Sequence, residues 1–270
     1  MRAFLEKYGI DAIGAVPLSD CKITKKYLLE RAGISDGATV VTMLLPYRTE
    51  NAPTNLSVYA SVRDYHGFVN ELKAELYAWL KASGFECAFA LFADHSPIDE
   101  VHAACVSGLG VIGDNGLLIS ERYSSFVFLC ELIIDAAPED LGLEYTRSEI
   151  KRCIGCRACA RACPSGCIGD DNPNPKTQCL SAITQKKGEL SEDEIGLMRK
   201  HNTLWGCDVC QNACPYTKKS ETTKIEYFKK EQILTLSAEL VENMSDEEFL
   251  SRPFSWRGKA TVLRNTKLHK

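Results

Sequence analysis

The cysteines restrict this chain more than any other feature, because seven of its thirteen cysteines lie in two short runs that each end in Cys-Pro. The first run, residues 153–164, has the spacing C-x2-C-x2-C-x3-C-P. The second run, residues 207–215, has the spacing C-x2-C-x3-C-P and carries Leu204 where a complete copy would begin with cysteine. Thiolates at the first spacing bind 4Fe-4S clusters in two-cluster ferredoxins, where the fourth cysteine of a run serves the other cluster.

The number of thiolates predicts two clusters. Two 4Fe-4S clusters need eight thiolates, and the two runs provide them together with Cys179, which lies between the runs. We expect the first cluster to be bound by Cys153, Cys156, Cys159 and Cys214. We expect the second cluster to be bound by Cys163, Cys179, Cys207 and Cys210. Cys167 is an extra cysteine that belongs to neither set.

Zinc sites and disulfides are two other common uses of cysteines. Four-cysteine zinc sites usually pair two C-x2-C hooks, and they have no use for a third cysteine two residues further on and a following proline. Disulfides suit secreted proteins, and the first residues of this chain lack the apolar core of a signal peptide. The spacing therefore favours iron–sulfur clusters.

Composition and charge are ordinary for a globular protein, with 45% hydrophobic residues, 25% charged residues and a net charge of −4. No stretch approaches the roughly 18 apolar residues of a membrane-spanning helix. We therefore expect a cytoplasmic protein without a membrane partner. Residues 252–270 hold six basic residues and no acidic one, which predicts either a phosphate-binding surface or a solvated basic tail.

The hydrophobic pattern predicts an α+β fold. Apolar runs rich in β-forming residues indicate strands at 11–17, 38–46, 86–93 and 126–135. A four-residue apolar period indicates a long helix over 68–80. We expect three segments: an α/β sandwich domain over 1–140, a ferredoxin-like double-cluster domain of short helices and loops over 141–217, and a basic helical C-terminal tail over 218–270.

A glycine motif at 108–113 spells G-x-G-x-x-G. A dinucleotide-binding motif of this kind must follow a strand and open a helix. Here a predicted helix over 98–107 precedes the motif, and Asn115-Gly116 breaks the chain after it. Tight turning or a close backbone approach to a ligand is the better use of these glycines.

Further segments complete a recognisable pattern. They are Tyr-Ala-Ser-Val-Arg-Asp-Tyr-His at 59–66, Asp-His-Ser-Pro at 94–97, the glycine-rich stretch 107–116, and Trp-Gly-Cys-Asp-Val-Cys-Gln at 205–211. Together with both cysteine runs, they resemble the epoxyqueuosine reductase family over about residues 38–265. Members of that family are iron–sulfur, cobalamin-dependent enzymes related to reductive dehalogenases. The resemblance implies reduction of epoxyqueuosine to queuosine in tRNA.

The resemblance also implies roles for individual residues. Asp94 matches the proton donor of the family, whereas its residue type and position alone favour a helix N-cap before Pro97. Cobalamin contacts are expected from Arg63, Tyr65, Gly108, Gly110, Gly113 and Asn115. His66, His95 and His102 are not expected to bind cobalt, because the family does not rely on a protein histidine below the metal.

The resemblance further implies an external electron donor of the flavodoxin or ferredoxin type. Family members usually continue into a helical-repeat domain that helps to hold tRNA, so we expect tRNA binding to be weak here. Asp114 also stands where the family commonly has lysine, which reverses a charge near the expected substrate pocket. Two alternatives remain open at this point: a ferredoxin-like electron-transfer protein without catalysis of its own, and a cobalamin reductase or handling protein.

Overall fold

A computed structural model describes residues 1–146, 148–169 and 175–268. Within these residues the strands are β1 (Ile13–Pro17), β2 (Thr39–Pro46), β3 (Phe89–Phe92), β4 (Val111–Ile112), β5 (Leu118–Ile119) and β6 (Val127–Ile134). Four of them form an antiparallel sheet in the order β1-β2-β6-β3, and β4 pairs with β5 in a separate hairpin. The long helix and the four strands predicted from the sequence are present, so the mixed fold class is confirmed.

The described part of the chain also forms thirteen α-helices. They are α1 (Arg2–Glu6), α2 (Lys26–Ala32), α3 (Val58–Ser61), α4 (Tyr65–Ala82), α5 (Glu100–Val106), α6 (Ala158–Ala162), α7 (Leu180–Thr184), α8 (Glu192–Lys200), α9 (Val209–Asn212), α10 (Glu226–Lys229), α11 (Ala238–Asn243), α12 (Asp246–Leu250) and α13 (Lys259–Lys267). None of the helices in the described part of the chain is both long enough and apolar enough to span a bilayer.

The central strand β2 explains why the sheet is covered on both faces. All eight of its residues are buried, and successive side chains of a strand point to opposite faces. Val41 and Met43 share a core with Leu72 and Leu76 of α4. Val40 precedes Val41 and therefore faces the other side of the sheet, where it belongs to a second core with residues of α2 and α5. The sheet is thus packed between helices, as in the sandwich that the alternating pattern predicted.

The chain beyond residue 141 forms short helices and loops around the cysteines, and its last part returns to the first segment. Trp205 is completely buried in a core that also holds Leu56 from the first segment, Phe254 from the loop after α12, and Val262 from α13. The segment after 217 therefore packs against the rest of the molecule over its described length; residues 269 and 270 lie outside the described residues. The division at 140 and 217 stays a prediction.

The glycine motif forms a turn and a hairpin. Gly108 follows α5 with a φ of 75°, a value that favours glycine. Gly110 lies against the backbone of β5, where a Cβ atom would come within 2.4 Å of the carbonyl oxygen of Ile119. A helix precedes the motif and β4 continues it, in the opposite order to a dinucleotide-binding motif.

Candidate active site

The first predicted ligand set surrounds a small cavity. Its lining includes Cys153, Cys156, Cys159 and Cys214, the four cysteines that the spacing assigns to the first cluster. Positive φ angles at Gly155 (64°) and Arg157 (59°) turn the backbone between these cysteines, which allows thiols close in sequence to face one space. The structure therefore brings Cys214, the last cysteine of the second run, to the first three cysteines of the first run.

The second predicted ligand set lies beside a much larger cavity of about 680 Å³. Cys179, Cys207 and Cys210 line this cavity, and so does Cys167, which the prediction left without a role. Cys163, the remaining predicted ligand, is not among the described residues that line the cavity, but its Sγ atom lies 3.6 Å from Sγ of Cys167. Four thiols thus line the cavity and that of Cys163 lies beside Cys167, which is one thiol more than a cluster needs.

Burial changes the acidity of these thiols. It raises the pKa of Cys207 to about 12 and the pKa of Cys210 to about 11, and the charge of neighbouring Cys179 adds to both shifts. Iron must therefore displace protons when it binds here, as thiolate ligands require. Within the described residues, no three Cys, His, Asp or Glu side chains gather closely enough to bind a single metal ion.

Asn115 connects the two cavities, since it contributes to the lining of both. Its Nδ2 atom donates to Sγ of Cys210 at 3.7 Å. Asp114, the neighbouring residue, lines only the small cavity, and its charge adds to the burial that raises the pKa of Cys159. The charge reversal noted in the sequence thus falls next to the first cluster site, whereas it was expected near the substrate pocket.

Asp94 lies on the lining of the large cavity, in a bend after β3. Its φ of 62° is in the left-handed region, which is uncommon for a residue other than glycine. Asp94 is not the helix N-cap that its sequence position favoured. Asp99 caps α5, because its side chain accepts a hydrogen bond of 3.1 Å from the backbone amide of His102. The carboxylate of Asp94 is therefore free of that structural task.

The Asp94 bend is attached to a pair of glutamates, of which Glu100 is half-buried and Glu131 is buried. Oε1 of Glu100, at the start of α5, accepts a hydrogen bond of 2.8 Å from the backbone amide of Asp94. Glu131 on β6 is completely buried, and neither of its carboxyl oxygens has a hydrogen-bond partner of good geometry in the described part of the chain. Burial and the charge of Glu100 raise the pKa of Glu131 well above its ordinary value. Burial therefore favours the neutral form of Glu131.

Two further residues with shifted acidity line the cavity. Tyr65 stacks on Phe128 with ring centroids 4.2 Å apart, and burial raises its pKa. Nδ1 of His66 lies 2.8 Å from Oδ1 of Asp64, and this hydrogen bond raises the pKa of His66. The charge of Asp94 contributes to both shifts. The cavity wall thus holds a hydroxyl that keeps its proton and an imidazole that gains one readily.

Other predicted cofactor contacts lie elsewhere. Arg63 stacks on Tyr227 at 4.3 Å and forms a 3.8 Å ion pair with Glu231. In the described residues, neither Arg63 nor the glycines of the motif line the large cavity. Gly113 instead packs inside the β4–β5 hairpin, where a Cβ atom would come within 2.9 Å of Ile119. Their contact with a cofactor stays a prediction, whereas Tyr65 and Asn115 do lie on the cavity.

The basic C-terminal segment is largely occupied with the protein itself. Arg252 is 8% exposed and donates to the carbonyl oxygen of Glu231. Lys259 and Arg264 also donate to backbone carbonyl oxygens. At least three of the six basic side chains thus bond to the protein itself, so the segment is not a freely solvated tail, and phosphate binding by the segment stays a prediction.

The rim of the large cavity carries an exposed aromatic residue. Trp256 is 58% exposed and lines the cavity, and the guanidinium group of Arg257 lies 3.7 Å from the centroid of its ring. The sequence pattern assigned no role to Trp256, and His66 was not expected to bind cobalt. A tryptophan in a Ser-Trp-Arg stretch among basic residues was the available signal, since such residues stack on nucleobases.

Comparison with known proteins agrees with the two cavities. A family model described as a 4Fe-4S double cluster binding domain matches residues 152–217. An epoxyqueuosine reductase from Cyclobacterium marinum is 32% identical over 251 residues, which cover 90% of this chain and 76% of that protein. The chain belongs to the epoxyqueuosine reductase family. It is therefore an oxidoreductase with a double iron–sulfur cluster domain.

Solved structures of epoxyqueuosine reductases share the fold over almost the whole chain. The enzyme from Streptococcus thermophilus has a TM-score of 0.74 and 21% identity, covering 99% of this chain and 79% of that one. An epoxyqueuosine reductase with an epoxyqueuosine-modified tRNA-Tyr stem loop has a TM-score of 0.72 and 23% identity, with the same coverage. The sandwich and the cluster segment thus belong to the fold of this reductase family.

Proposed function

We propose that this chain reduces epoxyqueuosine to queuosine in tRNA, with two 4Fe-4S clusters and cobalamin as cofactors. One observation carries the proposal: the large cavity has the thiols of the second cluster site on its lining together with Asp94 and Tyr65. Electrons from a cluster and a proton from a side chain can therefore reach the same space. Removal of the epoxide oxygen as water, which leaves an alkene, needs both, namely two electrons and two protons.

The lining of the cavity combines apolar and polar groups, as ligand and cofactor sites do. Its volume of about 680 Å³ is within the roughly 300–1,000 Å³ of small-molecule sites. Val127 and Phe128 contribute apolar surface, and Tyr65 and Asn115 contribute polar groups to the lining. Bound cobalamin supplies a two-electron cobalt centre, which neither side chains nor a one-electron cluster provides. We propose that Tyr65 and Asn115 contact it.

The protein supplies the protons. Asp94 is proposed as the donor to the epoxide oxygen, because it lines the cavity, has no capping task and is positioned through its backbone by Glu100. His66 lies on the same lining, and the hydrogen bond with Asp64 favours its charged form. It is therefore suited to carry a second proton into the cavity.

The rim favours a nucleic-acid substrate. The exposed ring of Trp256 offers a stacking surface beside the cavity, and Arg257 adds a positive charge. A related enzyme of this fold was solved with a modified tRNA stem loop, so we propose that the anticodon arm of tRNA docks at this rim. We further propose a cytoplasmic location and an external donor of the flavodoxin or ferredoxin type.

Complementation tests this function. The gene is expressed in a bacterium that lacks its own epoxyqueuosine reductase, and tRNA nucleosides are quantified by mass spectrometry. We expect queuosine to return with this chain and to stay absent with a Cys159→Ala control that lacks a first-cluster ligand. Epoxyqueuosine that persists, although the purified protein holds both clusters and binds cobalamin, would mean that this machinery acts on another substrate.

A further inference from the structure

The second cluster site has one thiol more than a 4Fe-4S cluster needs. Cys167 lines the large cavity with Cys179, Cys207 and Cys210, and only 8% of its surface is exposed. A buried cysteine can be a simple apolar filler. Cys167 differs from such a filler because it shares its cavity with three cysteines of the cluster set.

A tight turn places Cys167 beside the expected fourth ligand. The backbone amide of Gly166 donates to the carbonyl oxygen of Cys163 at 3.2 Å, and Gly166 has a φ of 58°. This turn reverses the chain within Cys-Pro-Ser-Gly-Cys, so that the Sγ atoms of Cys163 and Cys167 lie 3.6 Å apart. Two thiols this close can reach the same iron atom by small side-chain movements.

We propose that Cys167 is an alternative ligand of the second cluster and can take the place of Cys163. In the exchange, the bond from iron to Sγ of Cys163 breaks and a bond from iron to Sγ of Cys167 forms. The proton of the Cys167 thiol passes to the released Cys163 thiolate, so the charge and the oxidation state of the cluster stay the same. The inference rests on the second cluster of the proposed function and is independent of cobalamin and tRNA.

Iron analysis of alanine variants tests the exchange. Each protein is purified and reconstituted without oxygen, and iron, sulfide and the EPR spectrum of the reduced protein are measured. Cys163→Ala and Cys167→Ala should each keep about eight iron atoms per chain, because one thiol of the pair remains. The double variant should fall to about four iron atoms. Cys163→Ala should also show a changed EPR signal, since a different thiolate binds the iron.

Cys179→Ala is the matched control. It removes a ligand that, unlike Cys163, makes no hydrogen bond to a spare thiol among the described residues, so it should fall to about four iron atoms as a single change. Cys163→Ala with as little iron as Cys179→Ala would overturn the inference. A wild-type protein without eight iron atoms would instead contradict the proposed pair of clusters, so the two failures are distinguishable.

A second measurement covers a Cys163→Ala variant that does not fold. Iron release to a chelator is followed in the wild-type and Cys167→Ala proteins, which both retain Cys163. Loss of the spare ligand should speed release severalfold, because a cluster that loses its bond to Cys163 can no longer be recaptured by Cys167. Equal release rates would overturn the inference.

Discussion

The backbone amide of Asp94 donates a hydrogen bond of 2.8 Å to Oε1 of Glu100, so the first residue of α5 holds the bend that carries the proposed proton donor. The bend needs this support because Asp94 has a left-handed φ of 62°. Glu131, which is completely buried on β6, lies close enough to Glu100 for the two carboxyl groups to shift each other's pKa. Asp94 is thus linked through Glu100 to Glu131 on strand β6 of the sheet.

Asp94→Asn should remove the proton donor without disturbing the bend. Asparagine tolerates the left-handed region well, so the backbone of the loop should stay in place. We expect turnover to fall by about 10²–10⁴-fold, the range for loss of a positioned general acid. Single-turnover assays on epoxyqueuosine-containing tRNA, with iron content and cobalamin binding measured in parallel, check this. Near-normal turnover would exclude Asp94 as the proton donor.

Glu100 should influence turnover through the position of Asp94. Glu100→Ala removes the acceptor of the Asp94 amide, and a misplaced catalytic group can cost about 10²-fold in rate. Glu100→Gln keeps a carbonyl oxygen at that position and should lose much less. Turnover of the two variants is compared. KM should change little in either variant, because Glu100 is absent from the described cavity lining. Equal losses in the two variants would contradict a positioning role.

The sequence predicted the sheet well because its signals are local. The apolar run of β2 and the four-residue period of α4 fall inside the elements that the structure shows. The four cysteines that the spacing assigns to the first cluster likewise line one cavity. Short loops position Cys153, Cys156 and Cys159, whereas Cys214 was assigned from the ferredoxin rule that the last cysteine of a run serves the other cluster.

Other features depend on contacts between distant segments and were not predictable in this way. The pair of half-buried Glu100 and buried Glu131 joins residues that are far apart in sequence. Arg252 looks like a solvated cation in sequence but bonds to the backbone of Glu231. Asp94 could not be freed from its expected capping role until the structure showed that Asp99 caps α5.

Glu131 should make stability depend on pH. Its folded pKa is raised, so above the unfolded value of about 4.3 the folded protein binds more protons than the unfolded chain, and stability falls as pH rises towards the folded pKa. Glu131→Gln cannot ionise, so its stability does not fall with rising pH for this reason. The difference in thermal unfolding midpoint, variant minus wild type, should therefore grow from about pH 5 to pH 8. A difference independent of pH would contradict a neutral Glu131.

Infrared spectroscopy gives a second measure of the same group. A protonated carboxylic acid has a carbonyl stretch distinct from that of a carboxylate. We expect the folded wild-type protein to show this band at neutral pH and Glu131→Gln to lack it. Glu144→Gln, which changes an exposed glutamate, serves as the control and should keep the band.

Trp256 should contribute directly to RNA binding. Its ring is 58% exposed at the cavity rim, and stacking of a base on an aromatic side chain is worth about 1–3 kcal/mol. Trp256→Ala should therefore weaken binding of an anticodon stem-loop RNA by roughly 5- to 150-fold. Trp256→Phe should keep most of the affinity because it retains an aromatic face. Fluorescence anisotropy of a labelled stem loop at constant salt measures this, since phosphate contacts depend strongly on salt.

Leu250→Ala is the matched control, because Leu250 is 68% exposed but absent from the described cavity lining. If Leu250→Ala weakens binding as much as Trp256→Ala does, the loss reflects general surface contact, and the rim is not where the base stacks.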